Sequence, residues 1–160
     1  MIKMKIITMT VLLMLIIFAS EASALLYKNS RYGFTVDIPN ADFNPGQESS
    51  NGDGRSFVFK SDPNFILKFY AANQVFEESI LHNLAWSLPK EASFFRHILE
   101  EDVFYLEYID RETRQIVKTH LQDEVLYTMS VQYPAAMTKK YDPLCQKVMQ
   151  SWKIPRTRQD

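Results

Sequence analysis

The stretch VLYTMSVQY, residues 125–133, alternates apolar and polar side chains along most of its length. Successive side chains of a β-strand point to opposite faces, so a period of two separates an apolar face from a polar one. The apolar face is predicted to hold Val125, Tyr127, Met129, Val131 and Tyr133. A proline follows directly and ends the strand. The segment therefore predicts a β-strand that packs one face against a core.

Three further strands are predicted just before it. Residues 93–100, 103–109 and 115–121 are rich in aromatic and β-branched side chains, and short polar connections separate them. Connections this short join antiparallel neighbours, so this half of the chain is predicted to form a run of hairpins. Residues 103–106 are apolar on both faces, which is typical of a strand covered on both sides.

The N-terminal half shows shorter patterns of the same kind. Residues 25–29, 34–38, 56–60 and 65–71 are predicted to be strands, because their apolar side chains are bounded by turn-forming residues. Residues 40–50 are polar and contain a Pro-Gly pair, so they are predicted to be a loop.

Two segments have a helical period instead. Apolar side chains recur four residues apart over residues 76–88, and Pro89 follows. A final helix is predicted to begin at Asp142 as N-cap, with Pro143 at its first helical position. The order of strands, helix, hairpins and helix predicts an α+β fold, with helices packed on a mainly antiparallel sheet.

Residues 1–24 have the three parts of a secretory signal peptide. A positively charged start over residues 1–5 precedes an apolar run over residues 6–18, and Ala-Ser-Ala occupies residues 22–24. The run is shorter than the roughly 20 residues that span a bilayer. We therefore expect an exported protein, periplasmic or secreted, with no membrane span after cleavage.

The rest of the chain is predicted to be one domain over residues 25–153, followed by a short tail over residues 154–160. The chain has 18 Lys and Arg residues, 19 Asp and Glu residues and a formal net charge of −1. This balance argues against nucleic acid as a partner. Cys145 is the one cysteine, so no disulfide can form within a monomer.

The segment ESSNGDGRSF, residues 48–57, places two glycines among side-chain oxygens. A calcium loop would put Ser49 at its first position and Lys60 at its last, where a carboxylate is required. A phosphate cradle would need a helix directly after the glycines. We interpret the segment as a tight turn in which the Asn-Gly and Asp-Gly pairs of residues 51–54 tolerate positive φ.

Three segments carry a family resemblance: LLYKNSRYGFTVDIP (residues 25–39), NGDGRSF (51–57) and YPAAMTKKYDPLCQKVMQSWK (133–153). Together they resemble small exported bacterial proteins of the PsbP-like superfamily. Its namesake is the extrinsic photosystem II protein, and the Ran-binding Mog nuclear-import factor has the same fold. The resemblance implies an α/β/α sandwich, a central antiparallel sheet of about six to seven strands with helices on both faces. It carries over no catalytic residue.

Residues with reactive side chains form no recognisable motif. His82, His97 and His120 lack the spacing of metal ligands, so no metal or cofactor is expected. We interpret Cys145 as a small buried apolar residue; a nucleophile served by a distant histidine and a disulfide between chains are the alternatives. The acidic residues 100–102 are interpreted as a solvated hairpin turn.

One cluster is a candidate binding site. Alternation places Arg114, Lys118 and His120 on one face of a strand, with Ile116 between them. This basic stripe is predicted to receive an acidic partner or ligand. An ordinary exposed strand face is the alternative.

The function predicted from these features is that of a non-catalytic accessory module of the cell envelope or exterior that binds another protein. The alternative is a carrier of a small ligand, with a pocket between sheet and helix lined by aromatic residues such as Tyr105, Tyr108 and Trp86. A hydrolase whose residues come together only on folding is a third possibility.

Overall fold

The computed structural model describes residues 24–39, 42–74 and 92–156. Its strands are β1 (Ala24–Lys28), β2 (Thr35–Pro39), β3 (Phe43–Glu48), β4 (Gly54–Phe59), β5 (Ile66–Asn73), β6 (Ser93–Leu99), β7 (Val103–Asp110), β8 (Thr113–Gln122) and β9 (Val125–Pro134). A 3₁₀ turn, Ala135–Met137, and a helix, α1 (Thr138–Ser151), follow β9.

Seven of these strands form one antiparallel sheet in the order β3-β4-β5-β9-β8-β7-β6. The strands β1 and β2 form a separate hairpin. The predicted run of hairpins is confirmed, because β6, β7, β8 and β9 pair in sequence order. β9 lies in the middle of the sheet, where it pairs with β5 on one side and β8 on the other.

The core lies on one face of this sheet, which we call the core face. The alternation in β9 is confirmed there, because Tyr127, Met129, Val131 and Tyr133 are buried. The helix α1 and the β1–β2 hairpin cover this face, and their buried side chains join the same apolar cluster. Many of the contacts are between aromatic rings packed edge to face.

The loop predicted over residues 40–50 is wrong, because Phe43–Glu48 forms the edge strand β3. Phe43 is buried, and its ring centroid lies 5.2 Å from those of both Phe59 and Phe65. Pro45 is tolerated because one side of an edge strand needs no backbone donor, and the pairing shifts register after it.

The final helix has Met137 as its N-cap and Thr138 as its first residue, five residues before the predicted positions. Asp142 and Pro143 therefore lie inside the helix. The Asp142 carboxylate does not cap the helix; it accepts a hydrogen bond from the Tyr133 hydroxyl of β9. The Asp142 side chain, predicted to cap the helix, instead makes a tertiary contact with the sheet.

The helix predicted over residues 76–88 lies outside the described residues, as does the predicted signal peptide up to residue 23. The described part of the chain shows an antiparallel sheet with a C-terminal helix on its core face. Helices on both faces therefore stay a prediction. Within the described ranges, no helix combines the length and hydropathy needed to cross a bilayer.

A buried asparagine ties the β1–β2 hairpin to the large sheet. Asn29 is 0% exposed. Its amide nitrogen donates to the Gly52 carbonyl at 2.8 Å and to the Tyr27 hydroxyl at 3.3 Å. Its amide oxygen accepts from the backbone N–H groups of Arg31 at 3.1 Å and Tyr32 at 2.7 Å. The hairpin turn and the loop before β4 are therefore joined by one fully bonded side chain.

The loop before β4 is a tight turn, as predicted, but its two glycines serve different purposes. Gly52 has a φ of +74°, which a side chain would disfavour. Gly54 does not have positive φ; it is buried in β4 opposite Tyr70. A Cβ at Gly54 would lie 2.1 Å from the Phe69 carbonyl oxygen. Close approach of two backbones, not turn geometry, requires this glycine.

We expect Gly54→Ala to lower the free energy of unfolding by about 3 kcal/mol or more, because the backbone of β5 must move to admit the methyl group. The matched control, Gly52→Ala, should cost only about 1 kcal/mol, since it adds φ strain but meets only an ordinary contact with the Arg31 Cβ at 3.9 Å. Urea denaturation followed by circular dichroism measures both. Equal losses in the two variants would contradict the close-approach explanation.

Candidate functional site

A concave surface of about 600 Å³ lies on the core face beside α1. We call it the trough. Its floor is formed by Arg96 and Ile98 of β6, Tyr105 of β7, and Lys118 and His120 of β8, and Met149 of α1 lies at its wall. The trough is the part of the core face that α1 leaves open at the β6 end of the sheet.

Strand register explains why these side chains share one surface. Lys118 lies directly opposite Tyr105 of β7 and directly opposite Met129 of β9. Tyr105 lies opposite Ile98 of β6. Residues paired in this way point to the same face, so one row runs from the buried core at β9 out to the edge strand.

The predicted basic stripe lies on the trough floor but divides into two environments. Arg114, Lys118, His120 and Ile116 all face the trough, as their alternation indicated. Arg114 is held by ion pairs and a hydrogen bond, whereas Lys118 forms no ion pair with the described residues and His120 packs edge to face on Trp152 with ring centroids 5.6 Å apart. Partner binding by the stripe stays a prediction.

Arg114 is the centre of a polar network between the sheet and α1. Its side chain is 17% exposed. One guanidinium nitrogen, Nη2, forms ion pairs with Glu107 and, at 3.5 Å, with Asp142. The other, Nη1, donates to the Thr138 hydroxyl at 3.3 Å, and the guanidinium carbon lies 5.9 Å from the Tyr133 ring centroid. Arg114 therefore holds the helix on the sheet and is not a free surface cation.

Two tyrosines complete this network. Tyr105 donates its hydroxyl hydrogen to Glu107 at 2.9 Å, and Tyr133 donates to Asp142. Burial, and secondly the accepting carboxylate, raises the pKa of both hydroxyls. They therefore remain protonated donors.

Glu107 and Asp142 were not predicted to be residues of the site. Glu107 is two residues from Tyr105 on a largely apolar strand, so the two side chains share a face. A carboxylate on the same face as core residues was the one sign in the sequence that Glu107 has a polar partner there.

Arg114→Met should lower the free energy of unfolding by about 2–4 kcal/mol, because it leaves two partly buried carboxylates without their cation. The control, Lys118→Met, removes a cation from the same strand and face and should change stability by only about 0.5 kcal/mol. Chemical denaturation at neutral pH compares the two. A small effect of Arg114→Met would show that α1 is held by apolar packing alone.

The remaining basic residues of the trough have no anionic partner. In the described ranges, no carboxylate lies within ion-pair distance of Arg96, Lys118 or His120. The Arg96 guanidinium lies 5.6 Å from the Tyr105 ring centroid. Burial, and secondly the charge of Lys118, lowers the pKa of His120. Its imidazole is therefore predominantly neutral at pH 7.

Cys145 is buried, which confirms its interpretation as a small apolar residue. Burial, and secondly the charge of Asp142, raises the pKa of its thiol to about 12. A thiol with this pKa is protonated at neutral pH, so it is a poor nucleophile. Among the described residues, no group of His, Cys, Asp and Glu side chains is arranged to hold a metal ion.

Native protein should react with a maleimide at Cys145 at least about a hundredfold more slowly than protein in urea, because the thiol is both buried and protonated. The control combines Cys145→Ala with Gln146→Cys, which moves the thiol one residue to an exposed position on α1. The control should react rapidly in the native state, as followed by mass spectrometry. Fast native labelling of the parent chain would contradict the burial.

The other residues considered from the sequence lie elsewhere. Tyr108 packs with Phe104 and Leu106, which belong to a second apolar cluster separate from the core face. His97 is exposed on β6. The acidic residues 100–102 form the β6–β7 hairpin turn, as predicted, with the Glu100 N–H donating to the Val103 carbonyl at 2.8 Å.

Trp86 and His82 lie outside the described residues. Of the three aromatic residues predicted for a ligand pocket, the structure places Tyr105 in the trough and Tyr108 in the other cluster.

Comparison with solved structures identifies the fold. The chain resembles the solution structure of cyanobacterial PsbP (CyanoP) from Synechocystis sp. PCC 6803, with a TM-score of 0.61 and 13% identity over 86% of this chain and 95% of that one. It also resembles the Ran-binding protein Mog1p of Saccharomyces cerevisiae, with a TM-score of 0.52 and 9% identity over 84% of this chain and 96% of that one.

No protein-family model matches the chain, and no curated protein matches its sequence. At these identities the likeness concerns the fold, which is the one that the sequence resemblance implied. The chain therefore has the PsbP-like fold that CyanoP and Mog1p share.

Proposed function

We propose that this chain is an exported, non-catalytic accessory module that binds another protein through the trough. The observation that carries the proposal is the pair of cations on the trough floor, Arg96 and Lys118, for which the described part of the chain supplies no carboxylate within ion-pair distance. Surface cations without an internal ion pair are matched by opposite charge on a partner. The protonated thiol of Cys145 argues against thiolate catalysis at the same site.

The fold comparison adds support by analogy. Mog1p is named as a Ran-binding protein, so one protein with this fold binds another protein. Fold alone does not determine function, and the partner is to be identified by its chemistry.

Export is supported by the sequence of residues 1–24. Their charged start, apolar run and Ala-Ser-Ala form a signal peptide pattern. We place the mature protein in the periplasm or outside the cell.

The α/β/α arrangement is supported by the second apolar cluster. Phe104 is 2% exposed and Leu106 is 1% exposed. Among the described residues, Tyr108, Val117 and Leu121 pack against this pair. These positions alternate with the core-face residues of β7 and β8, so they point to the opposite face. We propose that the amphipathic segment over residues 76–88 covers them.

A small-ligand carrier is the second candidate function. It is favoured by the size of the trough, about 600 Å³, which is within the range of ligand pockets. Tyr105 lies on its floor, as the carrier hypothesis predicted.

The test is affinity capture from the envelope and culture fluid of the native organism. The bait is the chain as secreted from its full-length precursor, and bound proteins and small molecules are identified by mass spectrometry. We expect a protein partner in near-stoichiometric amount that also forms a complex with the purified bait. A bound small molecule without any protein would favour the carrier, and recovery of neither would overturn both proposals.

A further inference from the structure

The middle of the trough holds two cations on either side of an aromatic ring. Lys118 of β8 lies directly opposite Tyr105. Arg96 of β6 lies opposite Glu107, the next residue of β7 that faces the trough, and its guanidinium lies 5.6 Å from the Tyr105 ring centroid. The two cations lie on β6 and β8, the two neighbours of β7, and neighbouring strands are about 4.8 Å apart. Two charges therefore border one small area of surface.

The acidic groups of the trough do not neutralise this area. Glu107 and Asp142 are bound to Arg114 and to tyrosine hydroxyls. Glu100 belongs to the β6–β7 turn, and its charge acts on His120 at that end of the trough. Among the described residues, Arg96 and Lys118 are therefore the trough cations that no carboxylate pairs with.

Apolar side chains lie directly beside the two cations. Ile98 is opposite Tyr105 on β6, and Val103 is two residues before Tyr105 on β7, so both share its face. Met149 of α1 adds a flexible apolar wall. The three side chains line the same trough as the cations, so one occupant can contact both kinds of surface. An occupant that carries a carboxylate next to an apolar side chain matches this arrangement.

We infer that the trough binds an extended segment of a partner protein in which acidic and apolar side chains are close neighbours. A carboxylate of the segment lies beside Tyr105, between Arg96 and Lys118, and an apolar side chain packs on Ile98, Val103 and Met149. The trough floor ends at β6, the last strand of the described sheet, so a chain longer than the trough can continue past its edge. This inference rests on the proposed protein-binding function and names the chemistry of the partner.

The experiment measures binding of a fluorescein-labelled peptide, GDLDFDG, by fluorescence anisotropy. The protein is the chain secreted from its full-length precursor. The test variant combines Arg96→Gln with Lys118→Gln. The control variant combines Lys28→Gln with Lys68→Gln, which removes the same charge from two exposed strand positions outside the trough. Circular dichroism and urea denaturation establish that each variant is folded.

We expect the test variant to bind the peptide at least about tenfold more weakly than the parent, and the control variant to bind within about threefold of the parent. Both variants lose the same long-range attraction, so the difference between them measures the local contacts of Arg96 and Lys118. The neutral peptide GNLNFNG should bind the parent as weakly as GDLDFDG binds the test variant. Equal weakening by the two variants, or no binding by the parent, would overturn the inference.

Decanoate, in competition with the peptide, distinguishes a free small carboxylate from a protein segment. If decanoate binds in the trough and GDLDFDG does not, the carrier is favoured and the inference is overturned. Sedimentation of the parent and test variant excludes a second copy of this chain as the occupant if both are monomers.

The captured partner separates this inference from the proposed function. A partner that still binds the test variant leaves the protein-binding function standing and overturns the trough as its site. A peptide that binds the trough when no partner is captured supports the site chemistry alone.

Discussion

The ion-pair network of Arg114 fixes the position of α1, and the shape of the trough follows from it. The guanidinium contacts two carboxylates, one on the sheet and one on the helix, together with the Thr138 hydroxyl. Charges removed from water are costly unless their partners are well placed, so the network tolerates few helix positions. A helix held in this way covers part of the core face and leaves the β6 end of the sheet open.

A second polar contact fixes the position of the β1–β2 hairpin on the large sheet. Asn29 joins the hairpin turn to the loop before β4, and Arg31 adds an ion pair of 2.7 Å with Asp53 of that loop. Between the two polar contacts the core is almost wholly apolar and rich in aromatic rings. Apolar packing supplies most of the free energy of such a core, whereas the buried polar groups select one arrangement of its covering elements. Residues 51–55, which carry part of the family resemblance, lie at one of these contacts.

The sequence predicted most of the sheet because local periodicity determines which faces of a strand are apolar. β9, β8 and β7 were predicted within a few residues on this ground. The edge strand β3 was missed because the burial of Phe43 depends on Phe59 and Phe65, which are distant in sequence. The prediction of Asp142 as a helix cap failed for a similar reason. Its actual partners, Arg114 and Tyr133, lie on β8 and β9 and are not local in sequence.

The candidate site was predicted less well. Alternation identified the shared face of Arg114, Lys118 and His120, but only tertiary structure showed that Arg114 is used internally. Arg96 and Tyr105 come close through strand pairing, which no local pattern in one sequence specifies.

The place of β9 in the sheet has a consequence for how the chain folds. β3, β4 and β5 pair as sequence neighbours, and so do β6, β7, β8 and β9. The β5–β9 ladder is the long-range joint between these two meanders. Each meander closes short loops, whereas the joint closes a loop of dozens of residues and carries a larger entropic cost. Non-local pairing of this kind slows folding. The central strand of the finished sheet is therefore where the two halves of the chain meet late.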